Sequence, residues 1–191
     1  MIKTLKQLEK NLGFKVKNNI FCLAIDTATK SGIAIVIINK NKVQIKTGIL
    51  KLPTLPKEIE DTSEKYEAHL ESLYKLIKEE LIPQVEKRYE DNTLLILENS
   101  FLKMNVVTFG FLRALQGIYF ALLHPYFKTF RIIFPIAARK AVGFESRLGK
   151  GAKPKDKKKE IMKWISNVVE EAIDDDNKAD ALLLAFAGLK Q

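Results

Sequence analysis

Three acidic residues stand where a carboxylate is costly to place. Asp26 closes the apolar run Ile20–Asp26 (IFCLAID), Glu98 closes Thr93–Glu98 (TLLILE), and Asp180 is followed at once by Ala181-Leu182-Leu183-Leu184-Ala185. A carboxylate beside a continuous apolar run costs free energy to bury without a partner. Gathered carboxylates also repel one another, and their pKa values rise unless a cation compensates them. A hard divalent ion with oxygen ligands is the natural compensator, and Mg²⁺ fits best, with Mn²⁺ as a substitute. Two such ions can activate a water and stabilise the leaving oxygen in phosphodiester hydrolysis. Each acid also has a plainer explanation. Asp26 and Glu98 could be strand-end or turn carboxylates, and the run Asp174-Asp175-Asp176-Asn177 could cap the last helix.

The charge distribution points to the same chemistry. The chain of 191 residues carries 32 Lys and Arg against 23 Asp and Glu, a net +9 that is unevenly spread. Residues 139–163 hold ten Lys and Arg and three acids, whereas residues 164–191 hold two Lys and six acids. A second basic segment, residues 1–17, carries five Lys and one Glu. Local basic stripes suit a polyanion, nucleic acid being the commonest, although a solvated basic face looks the same in composition. The basic segment would hold a phosphate backbone, and one Lys could offset charge on a phosphorane-like transition state.

The elements that must position these groups follow from hydrophobic periodicity. Residues 2–13 form a short amphipathic helix with a basic face, expected to pack on the body, with DNA, a membrane or a partner as the alternatives. Ile20–Asp26, Ser31–Ile38 and Val43–Leu52 read as three strands in an antiparallel meander, with a turn at Asn39-Lys40-Asn41-Lys42. A helical pattern from Thr62 to Arg88 should be kinked or split by Pro83. Thr93–Glu98 is a buried strand, residues 105–124 a very apolar helix buried against more than one sheet face, and Arg131–Phe134 a fifth strand. Ile136–Val142 is a short helix, residues 143–159 a Gly- and Lys-rich loop, Lys157–Ala172 a helix and residues 177–189 the last helix. The order predicts a mixed five-stranded α/β sheet: three antiparallel strands, then a parallel βαβαβ half, with helices on both faces. Strands one and four are then parallel neighbours, so Asp26 and Glu98 end at one sheet edge, the edge that ligand sites favour.

Other chemistries lack their residues. A single cysteine, Cys22, leaves no intramolecular disulfide and no Cys-based zinc cluster, and its apolar surroundings make it a small core residue. No apolar stretch is expected to reach the ~18 residues of a membrane span, and the first residues lack the apolar segment of a secretory signal. A cytosolic location is expected, nuclear if eukaryotic or viral, and the host-cell cytoplasm for a virus of a bacterium. His69 and His124 lie in helical segments without a partner motif and read as structural. GFESRLGKGAKPK lacks the Gly-Lys-Ser/Thr ending of a phosphate-binding loop.

From about Ile20 to Ala187 the chain resembles the RuvC family of Holliday-junction resolvases, within the ribonuclease H-like superfamily. AIDTATKSGIAIVI resembles that family's first hairpin, LENSFLKMN followed by LRALQG its Glu-x-x-Phe-x-x-x-Asn pattern with a Gly in the next helix, RIIFPIAARKAVG its fifth strand and basic segment, and DNKADALLLAFA its final acidic helix. The resemblance implies a ribonuclease H-like domain over residues 20–191, with residues 1–19 an N-terminal extension. It also implies a Mg²⁺-dependent homodimer that nicks a four-way DNA junction symmetrically. Asp26, Glu98 and Asp180 would be metal ligands and Lys158 the catalytic lysine, with Lys157 next. Phe101 would stack at the junction centre, a role open to an aromatic face, or else pack in the core. Residues 105–124 would form much of the dimer contact. Arg139, Lys140 and the basic segment, with Lys103, Arg147, Lys150, Lys153, Lys155 and Lys157, would bind DNA phosphates.

The chain departs from the family pattern in three places. Where the family has Asp or His three residues before its last ligand, this chain has Asn177. Asp176 lies one residue further back, and both share a helix face with Asp180. Asp176 could take over the role, and Asn177 could ligate through its carbonyl oxygen. Residues 1–19 have no counterpart in the minimal fold, and the loop 144–156 is longer and richer in Gly and Lys, changes that a viral or mobile-element member would tolerate. Two other functions stay open: another ribonuclease H-like nuclease acting on RNA or branched DNA, and a non-catalytic nucleic-acid-binding relative, which Asn177 favours.

Overall fold

The structure is a computed structural model, and it describes residues 4–55, 62–88, 92–99, 106–146, 148 and 153–191. Phe101, Lys103, Asn105, Arg147 and Lys150 lie outside the described residues.

Five strands form one open sheet in the order β3-β2-β1-β4-β5. β1 (Ile20–Asp26), β2 (Lys30–Asn39) and β3 (Lys42–Lys51) make the antiparallel meander. β4 (Thr93–Glu98) and β5 (Thr129–Ile133) add in parallel on the other side of β1. This is the arrangement read from the sequence.

β1 is buried along its whole length because helices cover both faces. Side chains alternate across a strand, and β1 serves two cores. Ile20, Cys22 and Ala24 face one cluster, and Phe21, Leu23 and Ile25 face the other. The first cluster is closed by α1 (Leu5–Leu12), α5 (Pro135–Ala141), α6 (Pro154–Val169) and α7 (Asp176–Leu189). The second is closed by α2 (Thr62–Leu76), α3 (Ile82–Val85) and α4 (Val106–Leu123). α7 is the most buried helix, with every residue from Ala181 to Leu189 out of solvent.

α1 packs on the body as expected. Leu8 and Leu12 enter the core, Thr4 caps the helix through the Gln7 N–H, and Gly13 ends it in the left-handed region at φ 75°. Cys22 is buried among apolar side chains, which push its thiol pKa well up. His69 lies beside Phe111, and His124 beside Phe120 and Phe130, so both histidines are packing groups.

The helix over 62–88 splits ahead of Pro83, one of the two outcomes expected, and three other expectations are corrected. Residues Ile77–Leu81 form a π-turn, in which the Ile82 N–H reaches the carbonyl of Ile77, before α3 carries Pro83 in its first turn. Pro83 cannot donate to the carbonyl four residues back, and a widened turn ahead of it accommodates the ring. α6 begins at Pro154, not Lys157, so Lys155 also lies on the helix and not in the loop before it. Proline with its fixed φ is well suited to a first helical position. α4 is buried on one face only, through Phe111, Leu115, Gln116, Tyr119 and Leu123, while Val106, Val107 and Phe120 are exposed. Finally, Val106–Tyr126 is long and apolar enough to cross a membrane by length and composition, with mean hydropathy 1.6. Its buried stripe packs on the sheet and against α2, the pattern of a core helix.

Candidate active site

The parallel register pairs Ala24 with Ile96 and Ile25 with Leu97, so Asp26 and Glu98 come next on adjacent strands. Both share parity with residues of the α7-side core, Ala24 and Ile96, and both therefore point toward α7. Their carboxyl groups lie within hydrogen-bonding reach of each other. Asp26 is 8% exposed. Burial pushes its pKa well above the carboxylate range, and the charge of Glu98 pushes the same way.

α7 brings the remaining acids. Asp175 caps the helix by accepting the N–H of Asn177, and it is held from the sheet by an ion pair with Lys30. Asp176 is then the first helical residue and forms an ion pair with Lys158 of α6. Asp180, one turn further in, has its pKa pushed up to about 6, first by burial and then by the charge of Asp26. Burial raises Glu98 as well, and Asp180 adds to it, against the pull of its bond to Asp26 and of Arg139 and Lys158. Asn177 sits beside this group, with its backbone carbonyl against Gly32 of β2.

The structure thus brings together Asp26, Glu98, Asp176, Asp180 and Lys158, and of Lys157 and Lys158 it places Lys158 against an acid. Lys153, Lys155 and Lys157 lie in and just before the first turn of α6, next to Lys158, and Lys140 is on α5. Arg139, expected to be a phosphate contact, also lies near the acids: its Nη2 is 3.8 Å from Oδ1 of Asp180.

Three supporting residues escaped the reading of the sequence. Gln116 of α4 donates to the carbonyl of Glu98 at 2.7 Å, and Arg113 holds both Gln116 and Asn99, at 2.6 and 2.9 Å. Tyr119, wholly buried, has its phenol pushed up by burial and by Asp26. An Arg-x-x-Gln pair on an apolar helix was the available signal, since isolated polar residues on a buried stripe need partners.

The donor chemistry suits a hard divalent cation: buried carboxylates raise each other's pKa, and the Thr27 hydroxyl beside Asp26 is buried without a partner among the described residues. As the side chains stand, no group of three or more His, Cys, Asp or Glu among the described residues is drawn around one point. Protein cations occupy the acids in part, with Lys158 on Asp176 and Arg139 near Asp180.

The open mixed sheet in this order, with helices on both faces, is a RuvC-like fold. Among solved structures, the chain is similar to Thermus thermophilus RuvC in complex with a Holliday junction substrate, at TM-score 0.60 and 14% identity over 87% of this chain and 91% of that one. A second structure of T. thermophilus RuvC matches at TM-score 0.55 and 15% identity, over 87% and 92%. The yeast mitochondrial Holliday junction resolvase Ydc2 matches at TM-score 0.52 and 14% identity, over 94% and 82%. No protein-family profile and no curated protein sequence matches the chain.

Proposed function

We propose that this protein is a Mg²⁺-dependent, structure-selective endodeoxyribonuclease that resolves four-way DNA junctions by paired nicks. The observation that carries the proposal is the convergence of Asp26, Glu98 and Asp180 at one sheet edge, on a RuvC-like fold, next to the lysine-bearing start of α6.

Asp26, Glu98 and Asp180 would hold the cation, with Asp176 or Asn177 beside them. Bound there, the ion supplies Lewis-acid activation of a water and stabilisation of the leaving oxygen. Lys158 lies at the mouth of the site and offsets charge as it develops on the phosphate. Lys153, Lys155 and Lys157 hold the strand by its backbone, which positions DNA without reading its sequence. Phe101, three residues past Glu98, stacks on an unpaired base at the junction centre. Two chains pair through the exposed apolar side of α4, where Val106 and Val107 are 75% and 53% exposed, so that one junction meets two sites.

The test is cleavage of a four-way junction, a replication fork, linear duplex and an RNA/DNA hybrid at equal salt, with Mg²⁺ and with EDTA. Preferred, symmetric, Mg²⁺-dependent cutting of the junction supports the proposal. Preference for fork or hybrid assigns the site to another ribonuclease H-like nuclease, and salt-sensitive binding without cutting assigns a binding protein.

A further inference from the structure

Arg139 occupies an unusual position for a DNA-contacting cation. It lies in the last turn of α5, the helix that follows β5 and packs against α7. Its side chain is 36% exposed, yet its Nε is buried and has no acceptor among the described residues. The contact of Nη2 with Asp180, at 3.8 Å, is beyond hydrogen-bond length. A guanidinium presents a rigid fork of N–H donors suited to a bidentate carboxylate pair, and here the fork is only loosely engaged. The next residue, Lys140, is a second cation on the same short helix.

The acids around it explain the inward placement. Asp26, Glu98, Asp176 and Asp180 share one edge, and the positive charges acting on them there include those of Lys158 and Arg139. Lys158 is committed to Asp176 at the rim. Arg139 acts on Asp180 and on Glu98, two of the proposed ligands. A loose contact keeps the carboxylates gathered and is readily given up.

We propose that Arg139 is a resident counter-ion for the acid cluster: it holds Asp180 and Glu98 in place without a metal, and it competes with a divalent cation for Asp180. Arg139 is thus a positioning residue that sets how tightly the cation binds. The inference rests on the cation-binding reading of the site.

The experiment is Mn²⁺ binding to the full chain without DNA, read by calorimetry or by the resonance of free Mn²⁺, together with melting temperature in EDTA and in saturating Mn²⁺. The proteins are wild type, Arg139→Met, Arg139→Gln and Arg139→Lys. Loss of the charge in the Met and Gln variants should tighten Mn²⁺ binding about 5- to 20-fold, a coupling of ordinary size for two cations sharing one carboxylate. Arg139→Lys should stay close to wild type. The Met and Gln variants should melt lower in EDTA and be stabilised more by Mn²⁺. Wild-type binding that these variants leave unchanged or weaken overturns the role of Arg139 alone, as does an equal fall in melting temperature with and without Mn²⁺. Absence of Mn²⁺ binding by wild type overturns both this proposal and the cation-binding reading.

Discussion

The backbone carbonyl of Asn177 lies directly over the α-carbon of Gly32, so close that a methyl group at Gly32 would overlap it. Gly32 is the residue of β2 paired with Asp26 across the β1–β2 ladder. The missing side chain lets the first turn of α7 descend onto the sheet, and that descent brings Asp176 and Asp180 to Asp26. Gly32→Ala should therefore lift the start of α7. It should cost about 1–3 kcal/mol of stability, the usual range for overpacking against backbone, and reduce cleavage by much more than the unfolded fraction explains. Denaturant titration with a cleavage assay on the same samples checks this. Full activity in the folded variant sinks the link between Gly32 and the site.

Asp26→Asn separates chemistry from folding. It removes a buried carboxylate whose charge is opposed by burial and by Glu98. Cleavage should fall at least ~10²-fold, the scale of losing one preorganised electrostatic contact, while junction binding persists. The variant should also melt higher than wild type in EDTA, because a neutral isostere ends the repulsion. Cleavage at the wild-type rate would refute the placement of Asp26 as a ligand.

Stability should depend on pH in an unusual direction. Asp26, Glu98 and Asp180 all have folded-state pKa values above their ordinary ones. The folded protein then binds more protons than the unfolded chain, and this contribution is complete at low pH and lost as pH rises through the folded values. For Asp180 the window runs from 3.8 to about 6, and the loss across it is on the order of 2–3 kcal/mol. In EDTA, the melting temperature should fall from mildly acidic to neutral pH, and Mg²⁺ should restore it at neutral pH. A melting temperature that rises with pH in EDTA would show that the three acids are not mutually repelling in solution.

The start of α6 should carry a salt-dependent share of DNA affinity. Replacing Lys153, Lys155 and Lys157 together by Gln should weaken junction binding. The slope of log affinity against log salt should fall by about one for each phosphate that is no longer neutralised. The metal-dependent rate at saturating DNA should change little. An unaltered salt slope would exclude this face from the interface.

Pairing through α4 can be read directly. Val107→Glu, on the exposed side of the helix, should shift sedimentation to monomer and replace paired nicks by single ones. A dimer that survives this charge uses another surface.

Much of the site could be read in the sequence because strands report themselves locally. An acid ending an all-apolar run fixes which residue leaves the core, and the even numbering of Asp26 and Glu98 with Ala24 and Ile96 gives the face. What the sequence hid depends on packing between distant elements. Arg139 and Lys140 look alike as neighbours in a basic segment, and only the seating of α5 on α7 turns the first inward. Gly32 reads as one small residue in a β-branched strand until α7 lands on it. The Lys-rich stretch after residue 152 resembles a solvated loop in composition, although Pro154 marks a helix start. The one-sided burial of α4 was invisible because its exposed side is as apolar as its buried one.

The depth at which α7 is buried has a consequence for biogenesis. Residues 181–189 fill the trough between the sheet, α5 and α6, and the same helix carries Asp176 and Asp180. A ribosome releases this helix only after all the strands and the six helices that precede it. Until it docks, the growing chain has an open apolar trough and lacks Asp176 and Asp180, so the hydrophobic collapse that completes the core also assembles the acid cluster.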